Sequence, residues 1–388
     1  MGRRVNTAMK ISMIGLGKLG LPCATVMSQH FEVVGYDLNP VKADFLIKPT
    51  INSCIENSDV IFVAVPTPHE AEYGGETPTS HLPVKDFDYS IVKDVLTKIA
   101  QYKTAQQQVV LISTVLPGTT RREFAPIIPD IIYNPYLIAI GTVEQDFIDP
   151  EMIIIGSNDN VNVEKLVEIY KTCCYANSRY EFGSWEDAEA IKIFYNTFIS
   201  TKIALVNTIH DVGQRIGNMN VDNVTTAIAD CTRRIMSHKY MTAGLGDGGA
   251  CHPRDNIALR WLANKLDLGY DLFGNVMKVR EAQAKNMAKL LCSYNLPVVI
   301  LGISYKLNVP NRDGSYALLV GHYVEQLGGK LFYHDPLNDI RLDGSEPAVY
   351  LISYHHDWTR NFDYNPNSIV IDPWRTGLDI PNCTVVNL

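Results

Sequence analysis

The chain has 388 residues, of which 46% are hydrophobic and 20% charged, as in a globular protein of roughly two or three domains. Its formal net charge of −8 argues against nucleic acid or an anionic membrane as a partner. No apolar run is long enough to span a membrane, and residues 1–8 resemble a leader or cloning remnant. Eight cysteines without metal-site spacing predict free thiols in the cytoplasm and no bound metal.

Hydrophobic periodicity predicts an open parallel α/β sheet in the N-terminal half. The expected strands lie, in chain order, at residues 11–14, 32–36, 60–65 and 109–113, with a helix over about 19–29 after the first. Ligands of such sheets bind at the carboxyl ends of the strands. The loops beginning at Val65-Pro66-Thr67 and at Thr114 are therefore expected to face a cofactor.

A glycine turn between the first strand and the first helix predicts a dinucleotide site. The turn reads Gly15-Leu16-Gly17-Lys18-Leu19-Gly20, and Asp37 follows 22 residues after Gly15. Gly15 permits the tight turn, Gly17 lets a pyrophosphate approach the helix N-terminus, and Gly20 lets the helix pack on the strand. We expect Asp37 to accept hydrogen bonds from the adenosine ribose, which favours NAD over NADP.

A long helical pattern from about Asp187 to Ile216 predicts a spine between domains and a dimer contact. Lys192 and Asn196 are four residues apart, so they share one helix face. A second α/β unit opens at Pro297, with strands expected at residues 298–301, 330–334, 348–352 and 368–371.

These elements predict an α/β fold of two Rossmann-like, doubly wound domains joined by the long central helix and a small helical domain. The expected domains are an NAD-binding domain at residues 9–183, a central helical dimerisation domain at 184–284 and a second Rossmann-like, ligand-binding domain at 285–388. A cleft between the two lobes is the expected place for a substrate.

One cysteine lies in a segment with too many glycines to pack as core, Gly248-Gly249-Ala250-Cys251-His252-Pro253-Arg254-Asp255. A thiol in such a turn is exposed, and a neighbouring cation favours the thiolate, so Cys251 is a candidate nucleophile. Most free cysteines are instead structural and buried, and the other seven mostly fit that interpretation.

Six motifs occur in an order typical of one family. They are GLGKLGLP from Gly15, VAVPTP from Val63, STVLPGTT from Ser113, AEAIKIFYN from Ala188, GDGGACHPRD from Gly246 and ILGISYK from Ile300. From Lys10 to about Arg375 the chain resembles the UDP-glucose/GDP-mannose dehydrogenases, the nucleotide-sugar 6-dehydrogenases. The resemblance implies a four-electron oxidation of a sugar alcohol to a uronate of the kind used in polysaccharides, with two NAD in succession.

The resemblance also implies roles for individual residues. Cys251 would attack the intermediate aldehyde, Lys192 and Asn196 would stabilise negative charge on the C6 oxygen, and Asp255 with Thr114 would hold a water. The implied NAD-binding residues are Gly15, Gly17, Lys18, Leu19, Gly20, Asp37, Lys42, Val65, Pro66, Thr67 and Thr114. The implied substrate-binding residues are Tyr136, Lys192, Asn196, Arg234, Gly248, Gly249, Lys306 and Arg375, with Arg234 reaching a partner subunit of a homodimer.

The chain departs from the family pattern in a loop whose first glutamate assists thioester hydrolysis and whose second glutamate lies near the nicotinamide. The family's NPE-F-L-x-E loop aligns with Asn134–Gly141, in which Tyr136 and Ile140 replace the two glutamates. His252 and Arg254 replace the commoner phenylalanine and lysine beside Cys251, and the segment after Asp37 is short. Asp255 with Thr114, or alternatively His252, is expected to supply the missing base.

Two other functions stay open at this level. A β-hydroxyacid dehydrogenase similar to 6-phosphogluconate dehydrogenase would share the N-terminal fold and a catalytic lysine, but would not need Cys251 or a second α/β lobe. A catalytically weakened protein that binds a nucleotide-sugar would explain the missing glutamates. The sequence does not identify the sugar: UDP-glucose, GDP-mannose and UDP-N-acetylhexosamines all fit.

Overall fold

The structure is a computed structural model that describes residues 6–68, 70–342 and 346–388. It divides into two compact units, Met1–Thr201 and Lys202–Leu388. Of the proposed leader, residues 1–5 lie outside the described part, whereas the first strand already begins at Asn6. No helix in the described ranges is long and apolar enough to cross a membrane.

The first unit is built on an eight-stranded sheet in the order β3-β2-β1-β4-β5-β6-β7-β8. Only the β6–β7 pair is antiparallel among these described neighbours. β4 is buried at every position, as expected for a parallel strand covered on both faces. The strands are β1 Asn6–Ile14, β2 Phe31–Tyr36, β3 Leu46–Ile47, β4 Val60–Val63, β5 Gln108–Leu111, β6 Ile132–Tyr133, β7 Ile153–Gly156 and β8 Tyr180–Gly183.

Helices cover both faces of this sheet and enclose two apolar cores. One core packs β1 and β5 side chains against α1 and α5, and the other packs β4 and β5 against α3. The helices of the first unit are α1 Gly20–Ser28, α2 Ile51–Ile55, α3 Ser90–Tyr102, α4 Val143–Ile148 and α5 Glu164–Cys173, with a short π-helix at Thr120–Phe124. The long helix α6, Trp185–Ile216, begins in the first unit and ends in the second.

The second unit contains a helical segment and a five-stranded parallel sheet in the order β10-β9-β11-β12-β13. Helices α9 and α10 pack on one face of the sheet, where Ala284, Ala288 and Val320 are fully buried. The helices are α7 Val221–Ala229, α8 Cys251–Lys265, α9 Leu272–Cys292, α10 Tyr316–Gln326 and α11 Asp357–Arg360, and the strands are β9 Val298–Leu301, β10 Leu331–His334, β11 Val349–Ile352, β12 Ile369–Asp372 and β13 Thr384–Asn387.

The predicted fold class is confirmed, because two predominantly parallel sheets with helices on their faces are present. Strand positions agree to within a few residues, apart from β1, which starts earlier than expected. β4 ends at Val63 rather than Val65, since Val65 has left the sheet and its carbonyl accepts from the Ser113 hydroxyl. The division into three domains stays a prediction, because the observed compact units number two.

Two histidines are part of an aromatic cluster on the other face of the second sheet. His356 is 1% exposed and stacks on Trp358 with ring centroids 5.4 Å apart. His334 packs against Trp358 and Phe362, and its Nδ1 accepts from the Leu342 N–H at 3.0 Å. Burial lowers the pKa of both imidazoles, so the folded protein holds them in the neutral form.

This cluster predicts a loss of stability on the acid side. Below the ordinary histidine pKa of about 6.5, His334 and His356 are protonated in the unfolded chain but stay neutral in the folded protein. The free energy of unfolding therefore falls as the pH drops toward the lowered pKa values of the folded state. We expect His356→Phe to reduce the drop in melting temperature between about pH 7.5 and about pH 5.5. The exposed His322→Phe is the control and should leave that drop unchanged. An equal drop in both variants would contradict the assignment.

Candidate active site

The glycine turn after β1 is fixed by close backbone contacts. Gly15 has a φ of +93°, and a Cβ there would lie 2.6 Å from the Ala64 carbonyl oxygen. A Cβ on Gly20 would overlap the Gly15 carbonyl oxygen, so α1 starts in direct contact with the turn. At Gly17 a Cβ would meet no atom within 4 Å, so the space above the turn is open. Lys18 and Lys42 are exposed and Leu19 is half-buried.

Asp37 holds the turn from the end of β2. Its Oδ2 accepts from the Leu16 N–H at 2.7 Å and its Oδ1 from the Asn39 N–H at 2.8 Å. The Gly15 N–H donates to the Tyr36 carbonyl at 2.9 Å. A half-buried carboxylate therefore lies beside the turn with lone pairs left for a ligand hydroxyl.

The loops after β4 and β5 are hydrogen-bonded to each other. Thr67 Oγ1 donates to the Thr114 carbonyl at 2.8 Å, and Ser113 Oγ donates to the Val65 carbonyl at 2.5 Å. Pro66 lies between Val65 and Thr67, the two residues that make these hydrogen bonds, and is exposed. Parallel strands end at the same edge of a sheet, so both loops lie on the edge that carries the glycine turn.

Glu189 on α6 holds the far end of the β5 loop. Its carboxylate is fully buried and accepts from the Gly118 N–H at 2.5 Å and the Thr120 N–H at 2.6 Å. Burial raises the pKa of this carboxyl, although both hydrogen bonds oppose the shift. Helix α6 thus fixes the loop that begins at Thr114, one helical turn before Lys192.

Lys192 is half-buried, and its Nζ donates to the Tyr136 carbonyl at 2.6 Å. Burial lowers the pKa of this ammonium. This hydrogen bond fixes the Lys192 ammonium on the main chain of Tyr136, at the position where the family pattern has its first glutamate.

The Tyr136 side chain lies away from that position, and the expectation that it contacts substrate is corrected accordingly. Its ring is 8% exposed and packs on Phe147 with centroids 5.6 Å apart, beside Tyr170 in the first-unit core. An aromatic ring gains more from apolar burial than from exposure, so the residue turns inward. Only its main-chain carbonyl is available to the site.

Ile140, at the second missing glutamate, is 80% exposed. It lines a surface cavity of about 560 Å³ together with Lys18 and Pro22 of the glycine turn and its helix. The cavity wall is therefore apolar at the position where the family pattern has an acid.

Asn196 lies on the same face of α6 as Lys192 and is exposed within the first unit. Tyr195, on that face too, donates its hydroxyl proton to the Glu151 carboxylate, and this bond raises the pKa of the phenol. The sequence reasoning did not single out this pair.

Cys251 is the first residue of α8 and is exposed, in contrast to the cysteines in the cores. The loop before it packs on the turn after β9: a Cβ on Gly248 would overlap the Tyr305 carbonyl oxygen. The Gly249 N–H donates to the Gly314 carbonyl at 3.2 Å. This packing leaves the Cys251 thiol exposed at the N-terminus of α8.

Arg254 and Asp255 form an ion pair one turn into α8. The Arg254 Nε and Nη2 both lie 2.9 Å from Asp255 Oδ1. The bond to Asp255 is the largest cause of the raised Arg254 pKa, and the Cys251 side chain contributes further. A guanidinium therefore lies close to the thiol, as the sequence predicted.

The remaining substrate candidates in the second unit have different surroundings. Arg375 donates to the carbonyls of Ala243 and Leu388 at 2.6 and 2.7 Å, so its guanidinium ties the glycine-loop segment to the C-terminus. The expectation that Arg375 binds the nucleotide-sugar stays a prediction. Lys306 and Arg234 are exposed.

Buried cysteines are unsuited to nucleophilic chemistry. Burial raises the pKa of Cys173 and of Cys174 to about 12 and that of Cys54 to about 11. Cys23 is fully buried as well. Cys231 is exposed like Cys251, and it serves below as a control.

Sequence reasoning missed several site residues, of which Glu189 and Asp247 are the clearest. Glu189 could have been found from the sequence, because a carboxylate in an apolar helix segment, three residues before Lys192, needs partners if it is buried. Asp247 is the acid inside the glycine loop that precedes Cys251, and its contacts are described below.

We predict that Asp37→Ala raises the KM for NAD about 10- to 100-fold, since a charged hydrogen-bond acceptor contributes about 1.5–3 kcal/mol. It should also reduce the preference for NAD over NADP, because the carboxylate repels a 2′-phosphate. Initial rates with both dinucleotides test this, with the exposed Asp44→Asn as a control that should change neither. An unaltered KM in Asp37→Ala would show that the carboxylate only supports the turn.

Two family models match the chain. One describes the NAD binding domain of the UDP-glucose/GDP-mannose dehydrogenase family and matches residues 44–174, and the other describes its central domain and matches residues 186–282. Together they cover more than half of the chain. The open glycine turn and the Asp37 carboxylate fit the NAD implied by this match.

Known proteins agree with this assignment. A GDP-mannose 6-dehydrogenase of Pseudomonas aeruginosa is 27% identical over 340 residues, which cover 77% of this chain and 74% of that protein. A UDP-glucose 6-dehydrogenase of Rickettsia felis is 24% identical over 306 residues, covering 76% and 64% respectively.

The fold is also that of a solved relative. The ternary complex of GDP-mannose dehydrogenase from Pseudomonas aeruginosa superposes with a TM-score of 0.82 at 21% identity, covering 97% of this chain and 99% of that one. The family match and the second parallel sheet leave the β-hydroxyacid dehydrogenase alternative without support. The chain belongs to the UDP-glucose/GDP-mannose dehydrogenase family of nucleotide-sugar 6-dehydrogenases, and its cofactor is NAD.

Proposed function

We propose that this protein oxidises the C6 alcohol of a nucleotide-linked hexose to a uronate through a thioester on Cys251. The observation that carries the proposal is the setting of this thiol: exposed at the first residue of α8, close to Arg254, and presented by a rigid glycine loop. A structural cysteine would be buried instead.

The chain's own groups serve the steps as follows. Lys192 and Asn196 stabilise negative charge on the C6 oxygen, with the ammonium already oriented by the Tyr136 carbonyl. Cys251 adds to the aldehyde to form a thiohemiacetal, which is oxidised to a thioester that water cleaves. Asp255 and Thr114 hold a water for proton transfer. NAD, when bound, supplies the hydride acceptor for both oxidations.

The nucleotide-sugar is held by residues of the second unit. We assign this contact to the exposed Lys306, to the main chain of Gly248 and Gly249, and to Arg234 from a partner copy. GDP-mannose and UDP-glucose head the candidate substrates, because the relatives reported above are named for them. Arg375 contributes by fixing the loop at Ala243.

A homodimer is part of the proposal, as is a cytoplasmic location. Helices α6 and α8 expose large apolar side chains, including Phe194, Phe198, Ile257 and Trp261, that a second copy would cover. The eight unpaired cysteines suit a reducing compartment. Light scattering that shows a monomer at micromolar concentration would contradict the dimer.

A binding protein that has lost turnover is the second candidate. It is favoured by one observation: Tyr136 is turned into the core and Ile140 is apolar, so neither position offers a carboxylate. The two candidates differ in whether a thioester, once formed, is hydrolysed.

We expect NADH formation with at least one member of a panel of GDP-mannose, UDP-glucose and UDP-N-acetylhexosamines. The ratio of NADH to product identifies the reaction, since oxidation to the acid yields two NADH and oxidation to the aldehyde yields one. No NADH with any panel member, together with nucleotide-sugar binding by calorimetry, would favour the binding protein.

We further expect Cys251→Ser to reduce acid formation to the background rate while nucleotide-sugar affinity stays unchanged, because the thiol acts after binding. Cys231→Ser is the matched control, since that cysteine is exposed as well. Equal acid formation by the two variants would rule out the covalent route.

A further inference from the structure

Next to Cys251 lies a histidine–aspartate contact that the roles above do not use. His252 Nδ1 is 3.6 Å from Asp247 Oδ2, an ion-pair distance rather than a direct hydrogen bond. Asp247 belongs to the glycine loop and His252 is the second residue of α8, so both are on the segment that presents the thiol.

Asp247 is itself held in place. Its Oδ1 accepts from Arg280 Nε on α9, and the Arg280 side chain is only 11% exposed. The Arg280 guanidinium lies over the Tyr316 ring, 5.3 Å from its centroid. A Cβ on Gly246 would overlap that same ring, so the loop backbone is fixed on Tyr316 as well.

This arrangement orients the imidazole. With Nδ1 facing the carboxylate, the tautomer that carries its proton on Nδ1 is favoured, and in that tautomer Nε2 is a hydrogen-bond acceptor. The His252 side chain is 56% exposed, which gives water access to it. A cysteine nucleophile assisted by an imidazole that a third group orients is the arrangement found in acyl-transfer enzymes on unrelated folds. Here the imidazole belongs to the residue that follows Cys251 in the chain.

We propose that His252, positioned by Asp247 and Arg280, is the general base that hydrolyses the Cys251 thioester. The inference rests on the proposed function and supplies the base that Tyr136 and Ile140 lack. It is favoured over Asp255, whose Oδ1 is already paired with Arg254.

The step balances in atoms and electrons. His252 Nε2 takes a proton from water, and the water oxygen bonds to the thioester carbonyl carbon to give a tetrahedral oxyanion. The oxyanion collapses, the C–S bond breaks and the electron pair leaves on the Cys251 sulfur. The imidazolium returns its proton to that thiolate, and the uronic acid is released.

The test is a single-turnover reaction with NAD and the C6 aldehyde of GDP-mannose or UDP-glucose, whichever parent sugar is turned over. In His252→Ala we expect a normal burst of NADH, accumulation of a Cys251 acyl-enzyme by intact mass, and acid release slowed about 100-fold or more. Added imidazole should speed this release in proportion to its concentration. His252→Gln should accumulate the same species, which guards against a packing effect of the smaller side chain.

Asp247→Asn tests the positioning role. We expect an unchanged NADH burst and unchanged KM, acid release slowed about 10-fold, and no rescue by imidazole, because His252 still fills the place of the added base. His322→Ala, an exposed histidine on α10, is the control and should behave as the unaltered protein with or without imidazole.

The inference is overturned if His252→Ala releases acid at the unaltered rate, or if imidazole fails to restore release in that variant. These outcomes differ from failure of the proposed function. If the proposed function itself fails, the unaltered protein gives no NADH burst, or Cys251→Ser forms acid as fast as Cys231→Ser.

Discussion

The contact between the glycine loop and the turn after β9 is the constraint on which the chemistry of the second unit depends. The loop can approach the Tyr305 carbonyl only because Gly248 has no side chain, and the Gly249–Gly314 hydrogen bond completes the contact. Backbone packing of this kind leaves a loop little freedom to rearrange. Helix α8 therefore begins at a defined place, with the Cys251 thiol exposed at its N-terminus rather than buried.

The first unit achieves the same rigidity by a different route. Its loops after β4 and β5 are hydrogen-bonded to each other, and Glu189 holds the β5 loop against α6. A fully buried carboxylate is costly unless its oxygens find partners, and here two main-chain N–H groups meet that requirement. Lys192, one turn further along the helix, is oriented by the Tyr136 carbonyl. Loop, helix and lysine are thus parts of one connected arrangement.

Tyr136, at the position of the first missing glutamate, is part of the core packing of the first unit. Tyr136 fills a space in the core between Phe147 and Tyr170, and a carboxylate there would be buried without a paired charge. Asp247 and His252 are in contact in the second unit, with the carboxylate four residues before Cys251 and the imidazole one residue after it. The proposed base therefore lies on the segment that carries Cys251, and not in the Asn134–Gly141 loop.

The sequence by itself determined the α/β class, the approximate positions of the strands that it predicted, the glycine turn with Asp37, and the exposure of Cys251 in its glycine-rich segment. These features depend on local rules: periodicity fixes strands, glycine permits the turn, and a glycine-rich segment cannot bury a cysteine. Only the tertiary structure decided that Tyr136 points into the core, that Arg375 ties Ala243 to the C-terminus, and that Glu189 and Arg280 hold their loops. Those outcomes depend on residues distant in the chain competing for the same space and hydrogen bonds, which no local pattern records.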